Sequence, residues 1–171
     1  MITGSTRLAD GTEDPKPHTP PISLFLAYIA MVPTAAGAMV AASASLASPR
    51  AAGAVSRLTV AWAGAVLCFL AGVKRGLSFR QAGGPTVAQL GTMLWVFVLG
   101  AGALLLPGRA GSLVLLLVGY GSEAVLGPVA AERDEAPRYF ERLRPAQMLV
   151  PVASLLVLLA LERRRERRER A

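Results

Sequence analysis

The sequence predicts an all-α integral membrane protein, a bundle of five transmembrane helices. Apolar residues make up 53% of the 171-residue chain, and mean hydropathy is +0.48. They gather in runs of about 20 residues, the length needed to cross a hydrocarbon core about 30 Å thick. The charges complete the pattern. Lys and Arg number 18 against 11 acids, a formal +7, and the Arg residues flank the apolar runs. That placement suits anionic lipid headgroups rather than nucleic acid.

Taken in order, residues 1–21 hold Pro15, Pro17, Pro20 and Pro21 among polar residues and read as a disordered tail without a cleavable leader. The first helix is expected over 22–47, kinked at Pro33 because the proline ring displaces the backbone bond to residue 29. Gly37 and Ala41 form a small-xxx-small face for helix packing. Ser48-Pro49-Arg50 ends this helix, and a short loop is expected before the second, over 57–79. Gly72 and Gly76, four apart, are expected to face a neighbouring helix. Gly83-Gly84-Pro85 reads as a turn. The third helix covers 86–106, Pro107 to Gly111 makes a tight connection, and the fourth covers 112–130. A mixed-charge connector at 131–144 includes a short interfacial helix after Pro137, with Tyr139 and Phe140 at headgroup level. The fifth helix covers 145–161, kinked at Pro151. The basic tail 162–171 reads either as a solvated helix extension with Glu162–Arg165 and Glu166–Arg170 pairs or as a clamp on anionic lipid.

Orientation is left open by charge. Five spans divide the basic residues evenly between the two sides. A re-entrant fifth helix would collect most of them on the side of both termini, as the positive-inside rule prefers. The fifth segment is apolar all round apart from Gln147 and Ser154, which favours a full span.

Glu123 is the one acid inside any span. With alternating spans it shares a leaflet with Lys74, Arg75, Tyr120, Ser122 and Gln89, and these six residues form the candidate intramembrane polar cluster. A charge at bilayer depth costs about 2.5–3.5 kcal/mol on insertion scales, so Glu123 is expected to pair with Lys74 or Arg75. The alternative is that both cations snorkel to the headgroups and Glu123 is a neutral, hydrogen-bonded acid.

Enzyme chemistry finds little support. All three Asp lie outside the spans, and the only His, His18, lies in the tail, so neither a diaspartyl site nor a Ser–His relay can form in the membrane. The same scarcity argues against a metal site or other cofactor. The lone Cys68 reads as a small hydrophobe. GYGS at 119–122 lacks the context of a phosphate loop.

Three stretches, AYIAMVP (27–33), AGAVLCFLAGVKRGL (63–77) and PRYFERLRPAQMLVPVASLL (137–156), resemble the transmembrane protein 69 family, small multi-pass proteins carrying a domain of unknown function. That family has Ile-Pro in its first helix and a Ser-Phe-Leu-Gly-Gly-x-His-Trp-Gly ending to its second. Pro-x-Trp-Tyr and then Leu-Arg precede its last. Here Cys68-Phe69-Leu70 stand at Ser-Phe-Leu, Ala71 stands at the first glycine, Gly72 and Gly76 match, and Lys74-Arg75 replace His-Trp. Arg138-Tyr139-Phe140 replace the aromatic pair in part. The resemblance implies five helices and membrane residence. It implies no activity, and a function resting on the family's histidine does not carry over.

The expected role is therefore structural or assembly, in contact with anionic lipid and with a partner membrane protein or a second copy. The alternative is a small transporter or channel using Lys74, Arg75 and Glu123. Abundant Ala, Gly and Arg with little Lys suits a GC-rich genome and a bacterial inner membrane.

Overall fold

A computed structural model describes residues 19, 21–79, 84–106 and 110–170. Nearly all of the expected N-terminal tail lies outside the described residues, as does most of each tight connection at 80–83 and 107–109. Every regular element among the described residues is an α-helix: α1 Pro21–Ile29, α2 Val32–Ala47, α3 Pro49–Ser78, α4 Val87–Leu105, α5 Ala110–Glu132 and α6 Phe140–Arg170. Counting α1 and α2 as one broken span, five segments are long and apolar enough to cross a membrane.

Pro33 does more than kink the first span. Its missing N–H and its ring are incompatible with a continuous ladder, and the chain tightens at Ala30 and Met31. Met31 N–H donates to Tyr28 O and Thr34 N–H to Met31 O. The carbonyls of Ala27 and Ala30 thereby lose their usual helical donors. In lipid such groups need protein partners, and two other helices supply them. Gln147 Nε2 of α6 donates to Ala27 O at 2.8 Å, and Trp62 Nε1 of α3 donates to Ala30 O at 3.0 Å. The break is thus held by side chains from two neighbours.

The expected loop before residue 57 is absent. Ser48 alone joins α2 to α3: it ends α2 and, with extended backbone, caps α3, its side chain accepting from Ala51 N–H. Pro49 takes the first helical position, where its lost N–H costs nothing. α3 therefore begins eight residues earlier than expected and measures about 45 Å, some 15 Å more than the hydrocarbon core. α4 starts with a reciprocal cap, Thr86 Oγ1 accepting from Gln89 N–H while Gln89 Oε1 accepts from Thr86 N–H. α5 ends in a Schellman turn. Glu135 N–H reaches Ala130 O and Asp134 N–H reaches Ala131 O, with Asp134 left-handed at φ 56°.

At the other end of the chain, the expected connector helix, fifth span and tail are one element. α6 runs unbroken from Phe140 to Arg170, through both Pro145 and Pro151. At about 46 Å it is too long and too continuous to turn back within a bilayer, so a full span replaces the re-entrant alternative. The first span then starts on the face where the fifth starts, and α6 ends on the opposite face. The interfacial helix expected after Pro137 does not stand alone; Tyr139 and Phe140 meet edge to face with ring centroids 5.0 Å apart where α6 begins.

Neighbours in the chain pack on one another, and α6 closes the ring against α2. α3 and α5 meet across the middle, where Leu67, Leu116 and Tyr120 are fully buried. Phe25, Leu46, Phe69, Trp95, Val98 and Leu149 point outward and are exposed. A bundle apolar both inside and outside is built for lipid, since water would not tolerate so large an apolar surface.

Small residues set the closest approaches. A Cβ at Gly100 would lie 3.0 Å from the Gly64 carbonyl oxygen, so α3 and α4 touch backbone to backbone. The expected Gly37–Ala41 face packs inward: a side chain at Gly37 would strike Thr59, and Ala41 is buried. The expectation for Gly72 and Gly76 is overturned. A Cβ at either would meet nothing within 4 Å. The packing face of α3 runs instead through Val60, Ala63, Leu67, Ala71 and Ser78.

Candidate functional site

The site lies at the end of the bundle where α3 and α5 finish and α4 and α6 begin. Lys74 comes from the end of α3, Glu123 from the later half of α5 and Arg144 from the start of α6. They line one cavity of about 30 Å³, with Ser78, Gln89 and Phe140 among its other walls. That is room for a water or two.

Glu123 is 1% exposed, and its Oε1 stands 3.2 Å from Lys74 Nζ. The contact is an ion pair by distance but lacks hydrogen-bond alignment, so Oε1 has a counter-charge and no aligned donor among the described residues. Pairing of Glu123 with a helix 3 cation is thus realised through Lys74. The geometry is sensible: Glu123 is too deep to reach headgroups, while the long Lys stem brings its ammonium down to it.

Arg144 is more deeply buried than Lys74, at 6% exposed. Its stem crosses α5 at Gly127, one turn beyond Glu123, where any Cβ would fall within 3 Å of Arg144 Cβ and Cγ. The guanidinium lies in the field of Glu123, donates from Nη1 to Gln147 Oε1 at 3.4 Å and sits 4.5 Å from the Phe140 ring centroid. Gln147 therefore links Arg144 to the broken first span through its bond to Ala27.

Of the expected cluster, Lys74, Glu123 and Gln89 come together. Gln89 also serves its helix cap, so its presence here is partly architectural. The other three are placed elsewhere. Arg75 reaches back to Ser78 Oγ at 3.4 Å and lies 4.1 Å from the Phe79 ring centroid. Tyr120 points across the bundle and donates to Ala63 O at 2.8 Å; it is three positions before Glu123, yet its ring fills the α3–α5 core. Ser122 faces α4, donating to Gly119 O and accepting from Trp95 Nε1 at 3.3 Å. Neighbouring residues on a helix point about 100° apart, so a shared half of the bundle does not by itself define a site.

On sequence alone Arg144 falls at the end of the connector, whereas α6 begins five residues earlier than expected, at Phe140. The signal for Arg144 is in the sequence: Arg144, Gln147, Met148, Pro151, Ser154, Leu155 and Leu158 recur at three- and four-residue spacing and are all buried.

No family model, curated protein or solved structure matches this chain. Among the described residues, no three or more His, Cys, Asp or Glu cluster as metal ligands. Cys68 is half-buried, its Sγ 3.9 Å from Phe97 O on α4. Chemically, the arrangement ties α3, α5 and α6 together by placing two cations around one buried carboxylate, with Glu135 also lining the cavity and space for ordered water.

Proposed function

We propose that the protein is a structural or assembly component of a membrane, without catalytic activity or cofactor, that packs against a partner membrane protein or a second copy of itself. The observation that carries this reading is that Gly72 and Gly76, four apart on α3, are exposed, with open space among the described residues where a side chain would stand. Two such small residues on one helix let another transmembrane backbone pack closely. Composition supports a bacterial inner membrane as the location. The resemblance to the transmembrane protein 69 family belongs to the same proposal and adds no activity to it.

Native mass spectrometry of protein extracted in mild detergent tests this. A hetero-complex or homodimer is expected, and Gly72→Leu/Gly76→Leu should shift it to monomer while leaving the unfolding temperature unchanged. A wild-type chain that is monomeric and partnerless would sink the proposal.

A second reading, a small transporter or channel, draws on the Lys74–Glu123–Arg144 cavity. The cluster occupies one face only, and the bundle beyond it is filled by Leu67, Val96, Leu99, Leu113 and Leu116. Ion flux in proteoliposomes that Glu123→Gln abolishes would favour this reading over the first.

A further inference from the structure

The C-terminal end of α6 forms a second feature, separate from the charge cluster and on the opposite face of the bundle. A groove of about 570 Å³ opens between the last turns of α2, the first turns of α3 and the end of α6. Its chemistry changes along α6. Leu158 and Leu161 lie deeper; Arg164, Arg165 and Arg168 follow on the same helix side at three- and four-residue steps. The apolar part of the helix ends at Leu161, so the arginines stand about 5–10 Å beyond it, at headgroup depth. The facing wall is small: Ala52, Gly53 and Ser56 of α3. At Gly53 a Cβ would lie 3.0 Å from Arg165 Nη1, so the bare glycine lets that guanidinium lie against the α3 backbone.

Charge favours an anion there. Arg165 Nε is paired with Glu169 Oε1 at 3.0 Å, but Arg164 and Arg168 have no acidic partner among the described residues. The N-terminus of α3, with Pro49 in the groove wall, adds the positive end of a 30-residue helix. Glu162 and Glu169 also line the groove against Arg164, Arg165 and Arg168, leaving one positive charge in excess. An apolar floor continuous with a cationic rim matches a molecule with an acyl chain and a phosphate at the same spacing.

We propose that this groove holds one anionic phospholipid, its phosphate between Arg164, Arg165 and Arg168 and one acyl chain against Leu46, Leu158 and Leu161. The proposal rests on the membrane-spanning reading and is independent of the Gly72–Gly76 face. It differs from general attraction of a basic tail to a bilayer, because it requires the groove as well as the charge.

Purified full-length protein in neutral detergent, supplied with equal phosphatidylglycerol and phosphatidylcholine, tests it by native mass spectrometry. One retained phosphatidylglycerol per chain is expected. Arg164→Gln/Arg165→Gln/Arg168→Gln should lower that retention at least about tenfold, given roughly 1 kcal/mol for each basic contact. Ser56→Phe fills the groove without adding or removing any charge and should lower it comparably; Ala52→Phe does the same from the preceding turn should Ser56→Phe not fold. Equal retention of the two lipids would overturn the proposal. So would retention unchanged in the groove-filling variants, which would leave only tail electrostatics, or displacement of the lipid by millimolar inorganic phosphate, which would make the site one for a free anion. Partner capture at Gly72 and Gly76 is read as a separate species, so failure of one proposal leaves the other standing.

Discussion

Replacing Lys74 by methionine should destabilise the bundle by about 3 kcal/mol, the low end of the cost of stranding one member of a buried ion pair. The physical reason is asymmetric burial. Glu123 is 1% exposed, against 15% for Lys74. Without the ammonium, the carboxylate keeps only the field of Arg144, whose guanidinium is already committed to Gln147 and Phe140. The reverse change, Glu123→Gln, should cost less, because a freed Lys74 extends toward the headgroups. The double variant Lys74→Met/Glu123→Gln should recover most of the loss, since two neutral groups of similar volume leave no stranded charge. Reversible unfolding in mixed micelles measures all three. Equal stability of Lys74→Met and wild type would mean that the 3.2 Å contact contributes nothing and that Glu123 is held as a neutral acid.

Gly100→Ala should cost about 1–3 kcal/mol, the usual range for overpacking a close contact, whereas Gly72→Ala should be neutral or stabilising by up to about 1 kcal/mol. Both substitutions add one methyl to a glycine inside a helix. At Gly100 that methyl would lie 2.9 Å from Cys68 Sγ and 3.0 and 3.1 Å from the Gly64 oxygen and Cys68 nitrogen. Two of the three are backbone atoms, so relief requires α3 and α4 to separate along their whole contact. At Gly72 nothing among the described residues lies within 4 Å, so in the monomeric chain only the lower backbone entropy of the unfolded state is felt. Thermal unfolding of the two single variants checks the pair. An order reversed from this one would place the α3–α4 seam elsewhere.

Several elements were legible from local chemistry. The length and hydropathy of the apolar runs are set by bilayer thickness, and the five segments able to span match them. Pro33 had to disturb the first span whatever its surroundings, because a missing N–H is a covalent fact. A lone acid in lipid is costly, which left Glu123 either paired with Lys74 or Arg75 or neutral and hydrogen-bonded; the structure places it beside Lys74. The Ser48-Pro49 start of α3 was equally legible as a cap followed by proline; taking the proline only as a helix stop placed a loop where none exists.

What the sequence by itself determined, then, was a membrane protein with five segments able to cross, a disturbance of the first span at Pro33 and a costly acid at Glu123. The tertiary structure alone decided direction. Gly72 and Gly76 have the spacing of a packing face, yet in lipid both sides of a helix are apolar, so the pattern carries little contrast to say which side turns inward. The same loss of contrast hid Arg144, whose burial depends on Gly127 of another helix leaving room for its stem. It likewise hid the partners of the Ala27 and Ala30 carbonyls, Gln147 and Trp62, which lie 120 and 32 residues away. Solubility in lipid is a property of each segment on its own. Which atoms meet is a property of five segments packed together.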